Sequence, residues 1–232
     1  MNRVRSLLHW AGLSARRCQI CGEPAPDGER LCPACAERLQ PERAPRCRLC
    51  GASFPDEDGG LCAACTAAPP LWEALYFHGR YEGLLRELIL EYKFGRNLGL
   101  GRLLMGLAAD AAPVGGAWDM LVPAPLHPSR LRWRGFNQSR ELCRLLARRT
   151  GAPVVDRALS RIRGAAPQSV LDKEQRRSNV AGAFRANAAL ATGRSILLAD
   201  DVMTTGATLS ECARVLLEAG AARVAVLVLA RD

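Results

Sequence analysis

Ser195-Ile196-Leu197-Leu198-Ala199-Asp200-Asp201-Val202-Met203-Thr204-Thr205-Gly206-Ala207-Thr208-Leu209 is the run from which the architecture can be worked out. Residues 195–200 form an apolar stretch bounded by charges, the mark of a strand buried on both faces. The stretch ends in two carboxylates. A loop of small residues follows, and helical spacing then runs over 206–219 to Gly220. Backbone amides at such a helix start converge on one concave spot and favour a phosphate. Thr204, Thr205 and Thr208 add hydroxyl donors, and Gly206 lets the backbone approach closely. The adjacent carboxylates suit the paired hydroxyls of a ribose, or a share in a Mg²⁺ site, directly or through water. An ordinary Asp/Thr helix cap explains one or two of these residues. It does not explain consecutive acids at a strand end together with three threonines and a glycine.

Further segments alternate around this run. Residues 223–229 read as a second buried strand, 119–122 as a short strand stopped by Pro123, and 153–155 as another short strand. Helical spacing covers 81–95, 98–112 and 136–150, the last ending at Gly151. Strand–helix–strand alternation indicates an α/β domain with a parallel sheet flanked by helices. Ligands of such folds bind at the carboxyl ends of the strands. Residues 66–73, with Pro69–Pro70, form a linker, so this domain spans 74–232. Residues 163–180, with Gly164 and Pro167, read as a mobile loop before Phe184.

Charge is concentrated in the middle of the domain. The 232-residue chain has 32 basic and 23 acidic side chains, a net of +9, and lysine occurs only at Lys93 and Lys173. Codon bias accounts for most of the preference for arginine, which is also the better bidentate phosphate ligand. Residues 127–185 hold 14 basic and 4 acidic side chains, so this segment carries +10 and the remainder −1. A local excess of this kind points to an anionic partner. Within it, Pro125 lies in a proline-stiffened exit from a strand, and Arg130, Arg132, Arg134, Asn137 and Gln138 follow at a helix start. Those donors suit a second anion such as pyrophosphate.

The first third of the chain is organised by cysteine. Cys18/Cys21, Cys32/Cys35, Cys47/Cys50 and Cys62/Cys65 are four Cys-x-x-Cys pairs, and the pattern repeats after 29–30 residues. Gly22 and Gly51 follow the leading pairs, where a knuckle turn needs positive φ. Two thiolates two residues apart reach one tetrahedral ion, so the eight cysteines predict two structural Zn²⁺ sites in a double ribbon over 18–68. A disulfide framework would need an oxidising compartment, and nothing points to secretion. The duplication favours sequential sites, with interleaved pairing left open. Cys143 and Cys212, isolated on predicted helices, read as buried core residues.

The run around Asp200 closely resembles the phosphoribosyl-pyrophosphate (PRPP) signature of type I phosphoribosyltransferases. The resemblance implies that Asp200 and Asp201 contact ribose hydroxyls, and that Met203, Thr204, Thr205, Gly206, Ala207 and Thr208 form the 5′-phosphate loop. The double ribbon, Tyr92-Lys93-Phe94, P-A-P-L at 123–126, R-G-F-N-Q at 134–138, Gln168, Arg176, Asn179 and the PRPP signature occur in this order in the ComF family. The chain is identified as resembling that family over nearly its whole length. ComF proteins are similar in fold to type I transferases and are linked to DNA uptake. Membership implies PRPP and Mg²⁺ as ligands, with Asp200, Asp201 and Arg134 as catalytic residues. Pro125, Arg132, Asn137, Gln138, Gln168, Arg176 and Asn179 are implied to assist in binding, and a DNA-uptake helicase or another competence protein is an implied partner.

Other classes fit poorly. There is no P-loop, Gly99-Leu100-Gly101 lacks a dinucleotide register, and the three histidines form no nucleophile system. No stretch is long and apolar enough to span a membrane. Residues 1–17 read as a short amphipathic helix rather than a secretory signal, which predicts a cytoplasmic protein. The rival to a transferase is a non-catalytic module that senses PRPP or a nucleotide and binds single-stranded DNA through 127–185. Aromatic residues are only 5% of the chain, which argues against strong base stacking.

Overall fold

The computed structural model describes residues 17–54, 60–95, 97–113, 116, 118–163 and 180–232. The helix expected over 1–17 lies, save for Arg17, outside the described residues, as do Gln168, Arg176, Asn179 and most of the loop expected over 163–180. The chain divides into two units, residues 1–40 and 41–232. The division falls between the two ribbons, whereas the cysteine pattern grouped both in one segment over 18–68.

In the first unit, a bridge between Arg17 and Pro24 frames the first knuckle. Helix α1 (Pro33–Arg38) carries the trailing ligand Cys35. Cys18, Cys32 and Cys35, with Ile20 and Leu31 against them, are the core of this unit. The second unit opens on the same design. Arg46 and Ser53 bridge, and helix α2 (Ala63–Ala67) carries Cys65. Here Cys47, Leu49 and Cys65 join the large core of the α/β fold, which is why the second ribbon belongs to that unit. Gly51 shows how closely it packs. Its φ is +73°, and a Cβ would lie 2.6 Å from the Phe77 ring, so only glycine fits.

The remaining elements in chain order are β1 (Leu75–Arg80), α3 (Gly83–Phe94), α4 (Gly101–Asp110), β2 (Met120–Pro123), α5 (Pro128–Arg134) and α6 (Gln138–Thr150). They are followed by β3 (Leu159–Arg161), β4 (Phe184–Ala186), α7 (Ala188–Ala191), β5 (Ser195–Met203), α8 (Ala207–Glu218) and β6 (Arg223–Arg231). A parallel sheet has the order β1-β6-β5-β2. The alternation of apolar strand and helix produces this arrangement, since each crossover helix covers a sheet face. Val154 pairs with Leu121 only as an isolated bridge, so the strand expected over 153–155 reduces to one contact.

Three departures from the sequence reading shape the site. Strand β1 was not expected, because Leu-Tyr-Phe-His-Gly-Arg lacks alternation and lies just after a proline-rich linker. It forms an edge through its register with β6, Leu75 opposite Val226 and Arg80 opposite Arg231. Strand β5 runs past the acid pair to Met203, because pairing with β6 continues from Asp200 opposite Val228 to Met203 opposite Arg231. The acids therefore ride on the strand itself. Finally, β3 and β4 form an antiparallel ribbon, Leu159 opposite Ala186 and Arg161 opposite Phe184, from three-residue strands too short to show a period. Cys143 and Cys212 are fully buried, as expected, and burial pushes both thiols up.

Candidate ligand site

A cavity of about 510 Å³ lies over the carboxyl end of β5, where ligands bind in open parallel sheets. Strand β5 brings Asp200, Asp201 and Met203 to it. The turn Thr204–Gly206 and the start of α8 bring Ala207 and Thr208, and the exit from β2 brings Pro125. The turn closes through Gly206 at φ 74°, the N-cap of α8. Thr205 Oγ1 accepts from Ala207 N at 3.4 Å. The first N–H groups of a helix have no carbonyl of a preceding turn to bond, and here the residues that open α8, Ala207, Thr208 and Leu209, line the cavity with Thr204 and Thr205.

The acid pair is unequal. Asp200 Oδ1 accepts from Ser139 Oγ at 2.9 Å and from the Asp201 N–H at 2.8 Å. Burial, followed by the charge of Asp201, pushes the Asp200 carboxyl up to about 7, against the pull of those hydrogen bonds and of Lys93. Asp201 is ion-paired instead, its Oδ2 2.9 Å from Lys93 Nζ, with both side chains sheltered at 15% exposure.

Cations complete the walls. Lys93, Arg130, Arg134 and Arg161 all line the cavity against the two acids. Arg134 stacks over Phe94 at 5.4 Å, and its Nε is buried without a hydrogen-bond partner among the described residues. Burial works against its charge, with Arg130 adding to that effect and Asp201 and Asp200 offsetting it. An unpartnered buried guanidinium N–H is costly, and an anionic oxygen in the cavity would satisfy it. Arg161 is presented by the β3–β4 ribbon, its guanidinium 5.3 Å from the Phe184 ring.

Three expected binding residues are placed elsewhere. Arg132 is exposed on α5 and does not line the cavity. The segment is helical from Pro128, so Arg130 and Arg134 share a face and Arg132 turns away. Asn137 is the N-cap of α6, accepting from Ser139 N at 3.0 Å, and its Nδ2 donates to Ala124 O at 3.1 Å. Gln138 is 1% exposed and is also absent from the cavity wall. Asn137 thus belongs to the frame that aims Ser139 at Asp200, while the buried Gln138 Nε2 has no hydrogen-bond partner among the described residues. Conversely, the motifs assigned no role to Lys93, Ser139 or Arg161. Lys93 carried a signal, as one of two lysines in an arginine-rich chain.

The cysteines form two sequential clusters, Cys18, Cys21, Cys32, Cys35 and Cys47, Cys50, Cys62, Cys65, each with its sulfurs within 4.8 Å of one another. Cys21 and Cys32 are 3.6 Å apart, as are Cys50 and Cys62. Four sulfurs at Zn–S distances of about 2.3 Å on a tetrahedron stand roughly 3.8 Å apart, so both sets fit Zn²⁺. Burial raises the Cys18 thiol, but surrounding backbone donors, led by those at Cys21, outweigh it and bring it down to about 6. Burial and its thiol neighbours push Cys35 up to about 12. A shared cation removes that conflict.

Comparison with known proteins agrees with this architecture. A double zinc ribbon domain model matches residues 11–66, and a phosphoribosyl transferase domain model matches residues 146–232. The class is therefore a phosphoribosyltransferase-fold protein with an amino-terminal double zinc ribbon. The DNA utilization protein YhgH of Escherichia coli O157:H7 is 33% identical over 232 residues, covering 97% of this chain and 92% of that protein. Competence protein F of Haemophilus influenzae is 31% identical over 182 residues, covering 73% of this chain and 78% of that protein. A solved glutamine PRPP amidotransferase from B. subtilis, complexed with ADP and GMP, aligns at TM-score 0.41 and 21% identity over 59% of this chain and 30% of that one. The chain belongs to the ComF family, that of YhgH and competence protein F.

Proposed function

We propose that the cavity over β5 binds PRPP together with Mg²⁺, and that the protein transfers phosphoribose to an acceptor in the service of DNA uptake or utilization. One observation carries this reading: an acid pair and a threonine-lined turn share a cavity whose buried Arg134 Nε has no partner among the described residues. Thr204–Thr208 hold the 5′-phosphate, the acid pair takes the ribose hydroxyls, and Arg134 with Arg130 takes the pyrophosphate. A carboxylate of the acid pair would hold Mg²⁺, which would supply charge neutralisation for the leaving pyrophosphate. In the transfer, the bond from the anomeric carbon to pyrophosphate breaks with its electrons leaving on oxygen. A bond from the acceptor forms, and the acceptor loses a proton to solvent. The chain contributes orientation and charge, and no protein nucleophile is required. The same reading takes the protein as cytoplasmic, with a DNA-uptake helicase or another competence protein as its partner.

Calorimetry with and without Mg²⁺ tests the site. Wild type should bind PRPP saturably. Asp200→Ala/Asp201→Ala should lose about a hundredfold or more, from two charge-assisted hydrogen bonds at roughly 1.5–3 kcal/mol each. No binding by folded, zinc-loaded wild type would sink the proposal.

A second reading is favoured by Trp133 and Phe94, 63% and 56% exposed and 6.1 Å apart beside the basic cavity. It takes the protein as a non-catalytic module that holds single-stranded DNA along 127–185. Affinity for an oligonucleotide would then fall steeply with salt, and no acceptor would support turnover.

A further inference from the structure

We infer that Trp72 is a positioning residue that ties the second cysteine cluster to the anion-binding turn, so that the turn's grip on a phosphate group depends on that cluster holding its metal. The inference rests on reading Thr204–Thr208 as the anion-binding turn. Trp72 is 5% exposed. Its Nε1 donates to the carbonyl of Leu49 at 2.7 Å, inside the knuckle between Cys47 and Cys50. The far edge of the same ring reaches the turn. A Cβ built on Gly206 would meet Trp72 Cη2 at 3.5 Å and Met203 Sδ at 3.6 Å. The indole therefore spans from knuckle to turn.

A second strut runs alongside it. Arg231 Nε donates to the carbonyl of Cys50 at 2.8 Å. Arg231 is the register partner of Met203, and the next N–H, that of Asp232, donates to Met203 O at 3.0 Å. Both struts start from carbonyls of one metal knuckle and end at Met203–Gly206. That knuckle is shaped by its ion, because Cys47, Cys50, Cys62 and Cys65 bring their sulfurs within 4.8 Å of one another and one shared tetrahedral ion fixes their positions. Loss of the ion frees Leu49 O and Cys50 O to move, and the turn loses two of its supports. The first cluster lies in the other unit, within a small core of its own.

The test compares full-length zinc-loaded wild type with Cys62→Ser in the second cluster, Cys32→Ser in the first, and Trp72→Phe. Pyrophosphate and PRPP affinities are measured by calorimetry, and amide exchange is followed in the peptide spanning 203–208. A 5-fluorotryptophan resonance of Trp72, identified by its absence in Trp72→Phe, is followed through pyrophosphate addition. Cys62→Ser and Trp72→Phe should each weaken binding about tenfold, the scale of one buried hydrogen bond, and speed exchange at 203–208. Cys32→Ser should do neither. The Trp72 resonance should shift with pyrophosphate, a response that a merely packed indole would not give. Equal affinity and equal exchange in Cys62→Ser and Cys32→Ser would overturn the coupling, as would a Trp72 resonance indifferent to bound pyrophosphate. Should Trp72→Phe not fold, the two cysteine variants decide the matter. If wild type binds neither pyrophosphate nor PRPP, the reading of the turn fails, while exchange at 203–208 still decides whether the cluster supports it.

Discussion

At the scale of single residues, proton and charge are distributed over three side chains. Asp200 is pushed up to about 7 by burial and by Asp201, from an ordinary 3.8. Between those values the folded chain holds a proton that the unfolded chain has released. Stability therefore falls as pH rises through that window and levels off above it. Asp200→Asn should flatten this slope and raise the melting temperature at about pH 8, a comparison made by thermal unfolding across pH. Ligands that need both carboxylates ionised must expel the proton. PRPP affinity should accordingly weaken towards tenfold per pH unit below about 7, read by calorimetry in buffers of different ionisation heat. Lys93 opposes the rise at Asp200 and pairs with Asp201. Lys93→Met should move the midpoint of that pH dependence upward. It should also destabilise the fold by about 1–3 kcal/mol, because a sheltered carboxylate is left unpaired.

At the scale of elements, the junction of β5 and α8 makes the site, and Gly206 makes the junction. A side chain there would meet only ordinary contacts, at 3.5 and 3.6 Å. The backbone at φ 74° is what requires glycine. Gly206→Ala should cost about 1–2 kcal/mol, the penalty of an L-residue in the left-handed region, and should weaken pyrophosphate binding as well. Denaturant unfolding with calorimetry on the same sample checks both. The run 195–209 was legible because an unbroken apolar strand, two acids and a helix start each leave a local mark. Strand β1 and the β3–β4 ribbon left none, since short edge strands are held by partners distant in sequence. Arg161 therefore entered the cavity unannounced, and Arg132 dropped out of it once the segment from Pro128 proved helical.

At the scale of the whole molecule, the two clusters stand in different surroundings. The first unit's core is Cys18, Cys32 and Cys35 with two partly buried neighbours, so its folding depends on metal outright. The second cluster is built into the core that also contains Trp72, Met203 and the sheet. Strong chelation should leave 17–40 open to protease while the strands of 74–232, up to the turn at 203–208, remain protected. Limited proteolysis and hydrogen exchange in parallel would show the difference. Uniform loss of protection across both units would contradict it.

Cysteine spacing, the acid pair and the Thr-Thr-Gly-x-Thr turn were determined by the sequence itself, because the geometry of a knuckle, a strand end or a helix start is set within a few neighbouring residues. Sequential metal pairing was favoured by the repeat and is realised in the fold. Only the tertiary structure decided that Lys93 neutralises Asp201, that Ser139 rather than Asn137 or Gln138 reaches the acids, and that Trp72 joins a knuckle to a turn. Lys93 and Asp201, for instance, belong to α3 and β5, far apart in the chain. Packing of helices on a parallel sheet brings them to 2.9 Å, and no local pattern encodes a contact of that kind.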